Sequence, residues 1–213
     1  MNQTKTLQQA YRLNQNLDRI EENDGWEAQG SADLLFIDKF VDGHKLRGAF
    51  YKPEPIDFVG EIRMEGLHMN LEKLDYVLTN PDFPVMSKRM LSVLESVKDF
   101  PHQILPVIIE DMLTITDSNG KERKSGKINS DYVAVQFLEQ LNIFDRENSI
   151  YEPSFINPNK VGHIEKLVLK IPEEGLPPIF RITDNCTYMY VSPEAKTALE
   201  EAGITGIRFV PID

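Results

Sequence analysis

Two segments of the chain, residues 83–108 and 189–212, repeat one pattern of apolar and polar positions. Apolar residues recur in both at positions i, i+3, i+4 and i+7, which is the spacing of one buried stripe on an α-helix. The stripe consists of Met90, Val93, Leu94 and Val97 in the first segment and of Ala195, Ala198, Leu199 and Ala202 in the second. The pattern therefore predicts one amphipathic helix in each segment.

The residues around the two stripes are those that begin and end helices. Ser87 and Ser192 stand where an N-cap hydroxyl accepts a hydrogen bond from a free amide of the first turn. Pro193 suits the first helical position, where its missing N–H costs nothing. Gly203 suits the left-handed residue that follows a helix. These residues predict where the helices begin and where the second one ends.

An extended, apolar run follows each predicted helix, and strand-like runs precede each one. The shift that aligns the two serines, 105 residues, also sets Pro106 against Pro211. Each segment thus predicts two strands, a helix and a third strand. We interpret the two units, at about 75–108 and 180–213, as an internal duplication.

The stretch between the two units, "VIIEDMLTITDSNGKERKSGKINSDYVAVQFL", has two apolar limbs around a polar tip from Asp117 to Lys127. This arrangement predicts a long β-hairpin, and its basic tip is more typical of a solvated turn than of an anion site. Residues 142–178 form a turn-rich connection with one short strand. The predicted fold class is α+β, with two related strand-strand-helix-strand units and a long β-hairpin between them.

The first 70 residues are patterned differently from the rest. Residues 8–30 are polar, with apolar residues at irregular intervals, and predict a marginal helix or an extended arm. Residues 32–66 alternate short apolar runs with turn signals, of which Asp42-Gly43 is the strongest, and predict short strands. The predicted division is therefore residues 1–70, an N-terminal arm with short strands, and residues 71–213, the duplicated domain.

Composition sets limits on the class of protein. The chain has 213 residues, of which 41% are hydrophobic, so it can bury a substantial core. Its single cysteine, Cys186, forms no internal disulfide, and a buried structural thiol is the expected role. No apolar run is long enough for a membrane span and the first residues lack a signal-peptide pattern, so we expect a cytoplasmic protein and no membrane partner.

The charge balance bears on the kind of partner. The chain has 34 acidic and 23 basic residues, for a formal net charge of -11. An excess of this sign argues against nucleic acid as a partner, because phosphates would be repelled. It suits a basic protein partner, and it also suits solubility alone.

A search for catalytic and metal-binding motifs finds none. The four histidines, His44, His68, His102 and His163, lack the spacing of a metal site. Glycine-rich phosphate loops and the nucleophile elbow are also missing. Adjacent carboxylates such as Glu200-Glu201 do not face one bond, as a hydrolase requires. We therefore predict no catalytic residue, no metal and no cofactor.

An acidic segment around the only tryptophan is one candidate for partner binding. Glu21, Glu22 and Asp24 lie within five residues of Trp26. Carboxylates around an exposed aromatic side chain combine electrostatic steering with a binding hot spot. The alternative is that Trp26 holds a mobile arm against the core.

A second candidate is the segment "DRENS", where Asp145 and Arg146 follow an apolar limb. In one interpretation Asp145 satisfies backbone amides within a turn. In the other, Asp145 and Arg146 contact a partner. A third possibility is a polar pocket near Asp145, Arg146 and Arg181 that serves a small-molecule-binding protein or an enzyme.

The segments "VMSKRMLSVLE", "FDRENSIYE", "PIFRITD" and "VSPEAKTALEEAGITGIRFVPI", in this order, resemble immunity-protein family eleven of bacterial polymorphic toxin systems. The resemblance runs from about Asp75 to the C-terminus and leaves the first sixty or so residues unmatched. It implies a non-enzymatic protein that binds and neutralises a cognate toxin, and it lends no catalytic residue. The matching positions are Ser87, Leu94, Asp145, Ser149, Phe180, Arg181, Ser192, Gly203, Gly206, Phe209 and Pro211.

Overall fold

A computed structural model describes residues 9–16, 35–36, 48–57, 60–77, 84–155, 157–158 and 161–212. Within these residues the chain has the predicted α+β fold, with strands in the majority and few helices. Three helices are assigned in this part of the chain: α1 (His68–Leu71), α2 (Lys88–Val97) and α3 (Pro193–Glu201). The described residues 48–50 are also helical.

The strands fall into two large sheets and two short hairpins. Their bounds are β1 (Tyr11–Gln15), β2 (Leu35–Phe36), β3 (Ile62–Gly66), β4 (Tyr76–Val77), β5 (Val85–Ser87), β6 (His102–Asp111), β7 (Thr114–Thr116), β8 (Glu122–Lys124), β9 (Ile128–Asn129), β10 (Tyr132–Phe137), β11 (Ile150–Pro153), β12 (Val161–Lys166), β13 (Ile179–Ile182), β14 (Asn185–Val191) and β15 (Ile207–Pro211).

The larger sheet has seven strands. Six follow the order β2-β3-β6-β10-β5-β4, and β9 pairs with β6 beside the start of β10. Strands β6 and β10 are antiparallel, and the short hairpin of β7 and β8 lies between them in sequence. Strand β6 changes partners along its length: His102–Pro106 pair with β10, whereas Val107–Asp111 pair in parallel with β3.

The smaller sheet has the order β13-β14-β1-β15, and every pair in it is antiparallel. Strand β1 therefore lies between strands that follow it by more than 170 residues. The sequence predicted a marginal helix or an extended arm here. The strand has only one buried side chain, Leu13, and so carries little apolar signal of its own.

The two sheets repeat one strand order and one register. In the larger sheet Val133 of β10 pairs with Met86 on one side and Pro106 on the other. In the smaller sheet Tyr11 of β1 pairs with Val191 and Pro211, which stand 105 residues after Met86 and Pro106. Each strand-strand-helix-strand unit therefore holds a strand from elsewhere in the chain between its second and third strands.

The origin of this correspondence in a gene duplication stays a prediction. The inserted strand follows the first unit in sequence but precedes the second. Residues on both sides of the predicted boundary near residue 70 share both sheets, because β1 pairs with β14 and β3 pairs with β6.

Three hydrophobic clusters show how the layers stack. The central cluster lies between the sheets and combines α2 and α3 with one face of each sheet, through side chains such as Met90, Leu199, Val133 and Val191. A second cluster covers the other face of the larger sheet with Phe50 and Leu71. The third cluster covers the other face of the smaller sheet and comes mostly from residues 143–169.

Both main helices begin at the predicted N-caps. The hydroxyl of Ser87 accepts a hydrogen bond from the Met90 amide at 3.0 Å, and that of Ser192 accepts one from the Ala195 amide at 3.1 Å. Gly203 has φ of +64° just after α3, as predicted for a left-handed residue at a helix end. Local sequence thus sets the ends of the helices that fill the space between the sheets.

Candidate partner-binding surface

Asp145 of the "DRENS" segment organises a turn. Its Oδ1 accepts the backbone N–H groups of Glu147 at 3.1 Å and Asn148 at 3.3 Å, and its Oδ2 accepts the Asn148 side-chain amide at 2.7 Å. These hydrogen bonds, with the nearby Lys170 ammonium, hold the pKa of the Asp145 carboxyl below its usual range despite partial desolvation. These contacts agree with the interpretation in which Asp145 satisfies backbone amides within a turn.

Arg146 points away from that turn. Its guanidinium forms an ion pair with Asp184, in the turn between β13 and β14, and lies over the rings of Phe144 and Tyr151 at 5.8 and 5.7 Å. The side chain is about half exposed. Arg146 therefore links the connecting segment to the smaller sheet and leaves one edge open to solvent.

Arg181 is almost completely buried, with 1% of its surface exposed. It donates to the carbonyl of Cys186, and its guanidinium lies over the ring of Tyr51 at 5.0 Å and that of Phe137 at 5.7 Å. Burial lowers its pKa. Its neighbours Phe180 and Ile182 in β13 belong to the outer cluster, so by strand alternation Arg181 projects to the opposite side.

The three residues of the hypothetical polar pocket are thus not brought together by any described contact. Asp145 bonds within its own turn, Arg146 bonds to Asp184, and Arg181 contacts the other face of β13. The acidic segment with Glu21, Glu22, Asp24 and Trp26 lies outside the described residues, as does the predicted Asp42-Gly43 turn. Its proposed role in partner binding stays a prediction.

Most positions that carry the family resemblance support the scaffold. Ser87 and Ser192 cap helices, and Leu94 and Phe180 are buried in the core. Gly206 has φ of +80° and passes so close to Tyr76 that a Cβ atom there would lie 2.5 Å from its carbonyl oxygen. These residues therefore stabilise the fold, and their contacts do not identify a partner-binding surface.

One part of the larger sheet has an exposed face. The helix layer covers β5 and β10, where Met86, Val133 and Val135 are buried. On the next strand, β6, Ile104 pairs with Val135 and so projects to the same face, yet 46% of its surface is exposed. None of the described helices covers β6 and β3 on this face, where Ile104 is exposed.

An apolar row lies along this open part of β6. Ile104, Pro106 and Ile108 project from alternate positions and lie about 7 Å apart. Ile128 of β9 pairs with Glu110 at the end of the row, and 62% of its surface is exposed. We call these residues, Ile104, Pro106, Ile108 and Ile128, the open-face row.

Charged side chains border the open-face row on its β3 side. Arg63 forms an ion pair with Glu110, and Lys124 of the small hairpin forms one with Glu65. An exposed apolar patch with a polar rim is typical of surfaces that bind other proteins. Chemically, the arrangement can bury apolar side chains of a partner and exchange charges at its border.

The sequence did not single out the open-face row. Within "QILPVII", residues 104–109 are all apolar, which is typical of a strand buried on both faces. Only Leu105, Val107 and Ile109 are buried in the core. The exposed positions of this strand are apolar as well, so the sequence does not show which of its residues are buried and which are exposed.

Comparison with known proteins suggests no ligand or partner for this surface. No protein-family model matches the chain, and no curated protein matches it. In the part of the chain that the structure describes, no group of three or more His, Cys, Asp and Glu side chains could hold a metal ion. Within the same residues, no helix has both the length and the apolar character needed to cross a membrane.

Proposed function

We propose that this chain is an immunity protein of a bacterial polymorphic toxin system, which acts in the cytoplasm by binding and neutralising a cognate protein toxin. The protein performs no catalysis in this role. The sequence resemblance from about Asp75 onward suggests the class of protein. The observation that carries the proposal is the open-face row, an exposed apolar strip that a partner protein can cover.

The charge of the chain supports a basic partner. A net charge of -11 produces a long-range field that attracts a positively charged toxin domain and repels nucleic acid. A toxin that acts on nucleic acid has such a basic surface. Glu21, Glu22 and Asp24 would add to this field, so exchanging the three for Lys would slow association mainly at low salt.

The open-face row would form the apolar centre of the interface. The border ion pairs Arg63–Glu110 and Lys124–Glu65 can open toward partner side chains, because half or more of each cationic side chain is exposed. Such rim charges set orientation and association rate more than affinity.

Co-expression with the toxin encoded next to this gene tests the function. The chain should restore growth of cells that make the toxin, and the purified proteins should form a stoichiometric complex. Failure of both rescue and complex formation would overturn the proposal.

A pair of matched substitutions tests the surface. Ile104→Arg should weaken toxin binding about tenfold or more, because it places a charge in the apolar centre. Ile150→Arg is the control, since Ile150 is 53% exposed but lies on the hairpin of β11 and β12. Both variants should keep the parent melting temperature. Loss of binding in the control alone would assign the interface to the other side of the molecule.

A further inference from the structure

A cavity of about 280 Å³ opens between the outer face of the smaller sheet and the hairpin of β11 and β12. Arg12 of β1 pairs with Tyr190 of β14 and with Val210 of β15, so these three side chains project to one face of the sheet. Gly162 and His163 of β12 form the opposite wall. The cavity is separate from the open-face row, which belongs to the larger sheet.

Arg12 lines this cavity, and no described residue forms an ion pair with its guanidinium. Its Cζ is 4.8 Å from the centroid of the Tyr188 ring. Among the described residues, no group accepts a hydrogen bond from it and no carboxylate lies within ion-pair distance, and its buried Nε is unsatisfied. A half-buried cation with unused donors is costly unless something supplies acceptors.

Other arginines of the structure are satisfied differently. Arg63, Arg89 and Arg146 each form an ion pair with a carboxylate. Arg181 donates to a backbone carbonyl. Among the described residues, Arg12 contacts the ring of Tyr188 and no carboxylate, whereas Arg89, which lines a groove of about 410 Å³, is paired with Asp75.

The rest of the cavity wall offers further polar contacts. The amide of Asn185, the imidazole of His163 and the hydroxyls of Tyr188 and Tyr190 can donate hydrogen bonds. Glu165 also lines the cavity, and among the described residues it has no ion-pair partner. Its carboxylate therefore does not neutralise Arg12.

We infer that this cavity binds the anionic group of a small molecule, a carboxylate or a phosphate monoester, with the Arg12 guanidinium as its main ligand. The guanidinium lies beside the Tyr188 ring and its Nε has no hydrogen-bond partner among the described residues, so a ligand could accept two parallel N–H···O bonds from it. The volume is near the lower end of the range for ligand pockets, which favours a small ligand. This inference does not depend on the proposed toxin binding.

Titration of the full chain with inorganic phosphate and with succinate, at an ionic strength matched with chloride, tests the site. At least one of the two anions should bind with saturation in calorimetry and raise the melting temperature above that in chloride. Phosphate binding alone would identify phosphorylated molecules as the ligand class, and succinate binding alone would identify carboxylates. Absence of saturable binding by both anions would overturn the inference.

Substitutions then locate the binding. Arg12→Met keeps the apolar stem and should weaken anion binding about tenfold or more, because it removes the charge and both donors of the fork. Arg12→Lys preserves the charge and replaces the Met variant if that variant does not fold. It should also weaken anion binding, because lysine lacks the two parallel N–H donors of the guanidinium. Arg208→Met is the control, since Arg208 is exposed on β15 outside the cavity. Equal weakening by the control, or unchanged binding by the Arg12 variants, would contradict the assignment.

Discussion

The carboxylate of Asp75 accepts the backbone N–H of Thr205 at 2.9 Å, and this bond joins two residues that are 130 positions apart. The same carboxylate accepts the hydroxyl of Ser87 at 2.6 Å and two N–H groups of Arg89, the closer at 2.5 Å. Asp75 begins the first strand-strand-helix-strand unit, and Thr205 precedes the last strand of the second. One buried carboxylate therefore fastens the two units together.

Asp75→Asn should destabilise the protein by about 2–4 kcal/mol, because the variant loses the charge and turns an amide toward donors. Urea unfolding at pH 7 measures the change. Asp131→Asn is the matched control, since Asp131 is exposed and lines one groove together with Asp75 and Arg89. A loss of similar size in the control would refute the special role of Asp75.

Because of the Asp75 carboxylate, we also expect the stability of the protein to depend on pH in the acidic range. Burial raises the pKa of Asp75, but hydrogen bonds from Arg89, Ser87 and Thr205 outweigh this and hold the pKa below its usual range. Its stabilising contribution is therefore complete above the unfolded-state pKa of about 3.9 and disappears as the pH falls through the folded-state pKa. Stability curves below about pH 4 should be steeper for the parent than for Asp75→Asn; parallel curves would count against this.

The two N-cap serines should differ in their effect on stability. Ser192→Ala should cost about 1 kcal/mol, the usual value for a lost N-cap. Ser87→Ala should cost more, because Ser87 both caps α2 and donates to Asp75. A double-mutant cycle of Ser87→Ala with Asp75→Asn should show coupling. Ser96→Ala, at an exposed position within α2, serves as the control and should change stability by less than about 0.5 kcal/mol.

Two glycines with positive φ offer a further comparison. A Cβ atom at Gly203, φ +64°, would meet nothing within 4 Å, so Gly203→Ala should cost only about 1 kcal/mol of backbone strain. At Gly206 the same atom would lie 2.5 Å from the carbonyl oxygen of Tyr76. Gly206→Ala should therefore lower the melting temperature well beyond Gly203→Ala. Equal melting temperatures for the two variants would show that the backbone near Tyr76 can move to accept the added Cβ atom without loss of stability.

The turn at Asp145 gives a test that separates a structural role from a binding role. Asp145→Ala removes the acceptor of two backbone amides and should lower the melting temperature while leaving toxin affinity unchanged. Arg146→Ala, at the exposed neighbour, should have a smaller effect on melting. A variant of Asp145 that melts like the parent but no longer binds toxin would make the turn part of the interface.

The elements that the sequence predicted well are those whose signals are local. The two long helices, α2 and α3, were predicted because caps and apolar stripes lie within a dozen residues of each other, as around Ser87 and Ser192, whereas the short α1 was not. Strand β1 was not predicted as part of a sheet, because its partners lie near residues 189 and 209 and the alternation in "YRLNQ" includes only two apolar residues. The Asp75–Thr205 contact gave no signal either, since nothing around Asp75 marks it as buried.

The candidate surfaces were even less accessible to sequence analysis. Arg12 resembles any arginine in a polar segment until the smaller sheet places Tyr188 beside it and the hairpin of β11 and β12 places His163 across the cavity. The exposure of Ile104 depends on where the helix layer ends, which is a property of packing. Buried and exposed isoleucines are identical in a sequence.

Strand β1 lies between two strands that come much later in the sequence, so the smaller sheet can form only after those strands have been synthesised. Residues 11–15 leave the ribosome long before either of their neighbours, Asn185–Val191 and Ile207–Pro211, is made. All seven described strands of the larger sheet have emerged once residue 137 has been made. Strand β1 therefore stays without its two partners while the larger sheet can already form, and the length of the loop that must close slows its pairing.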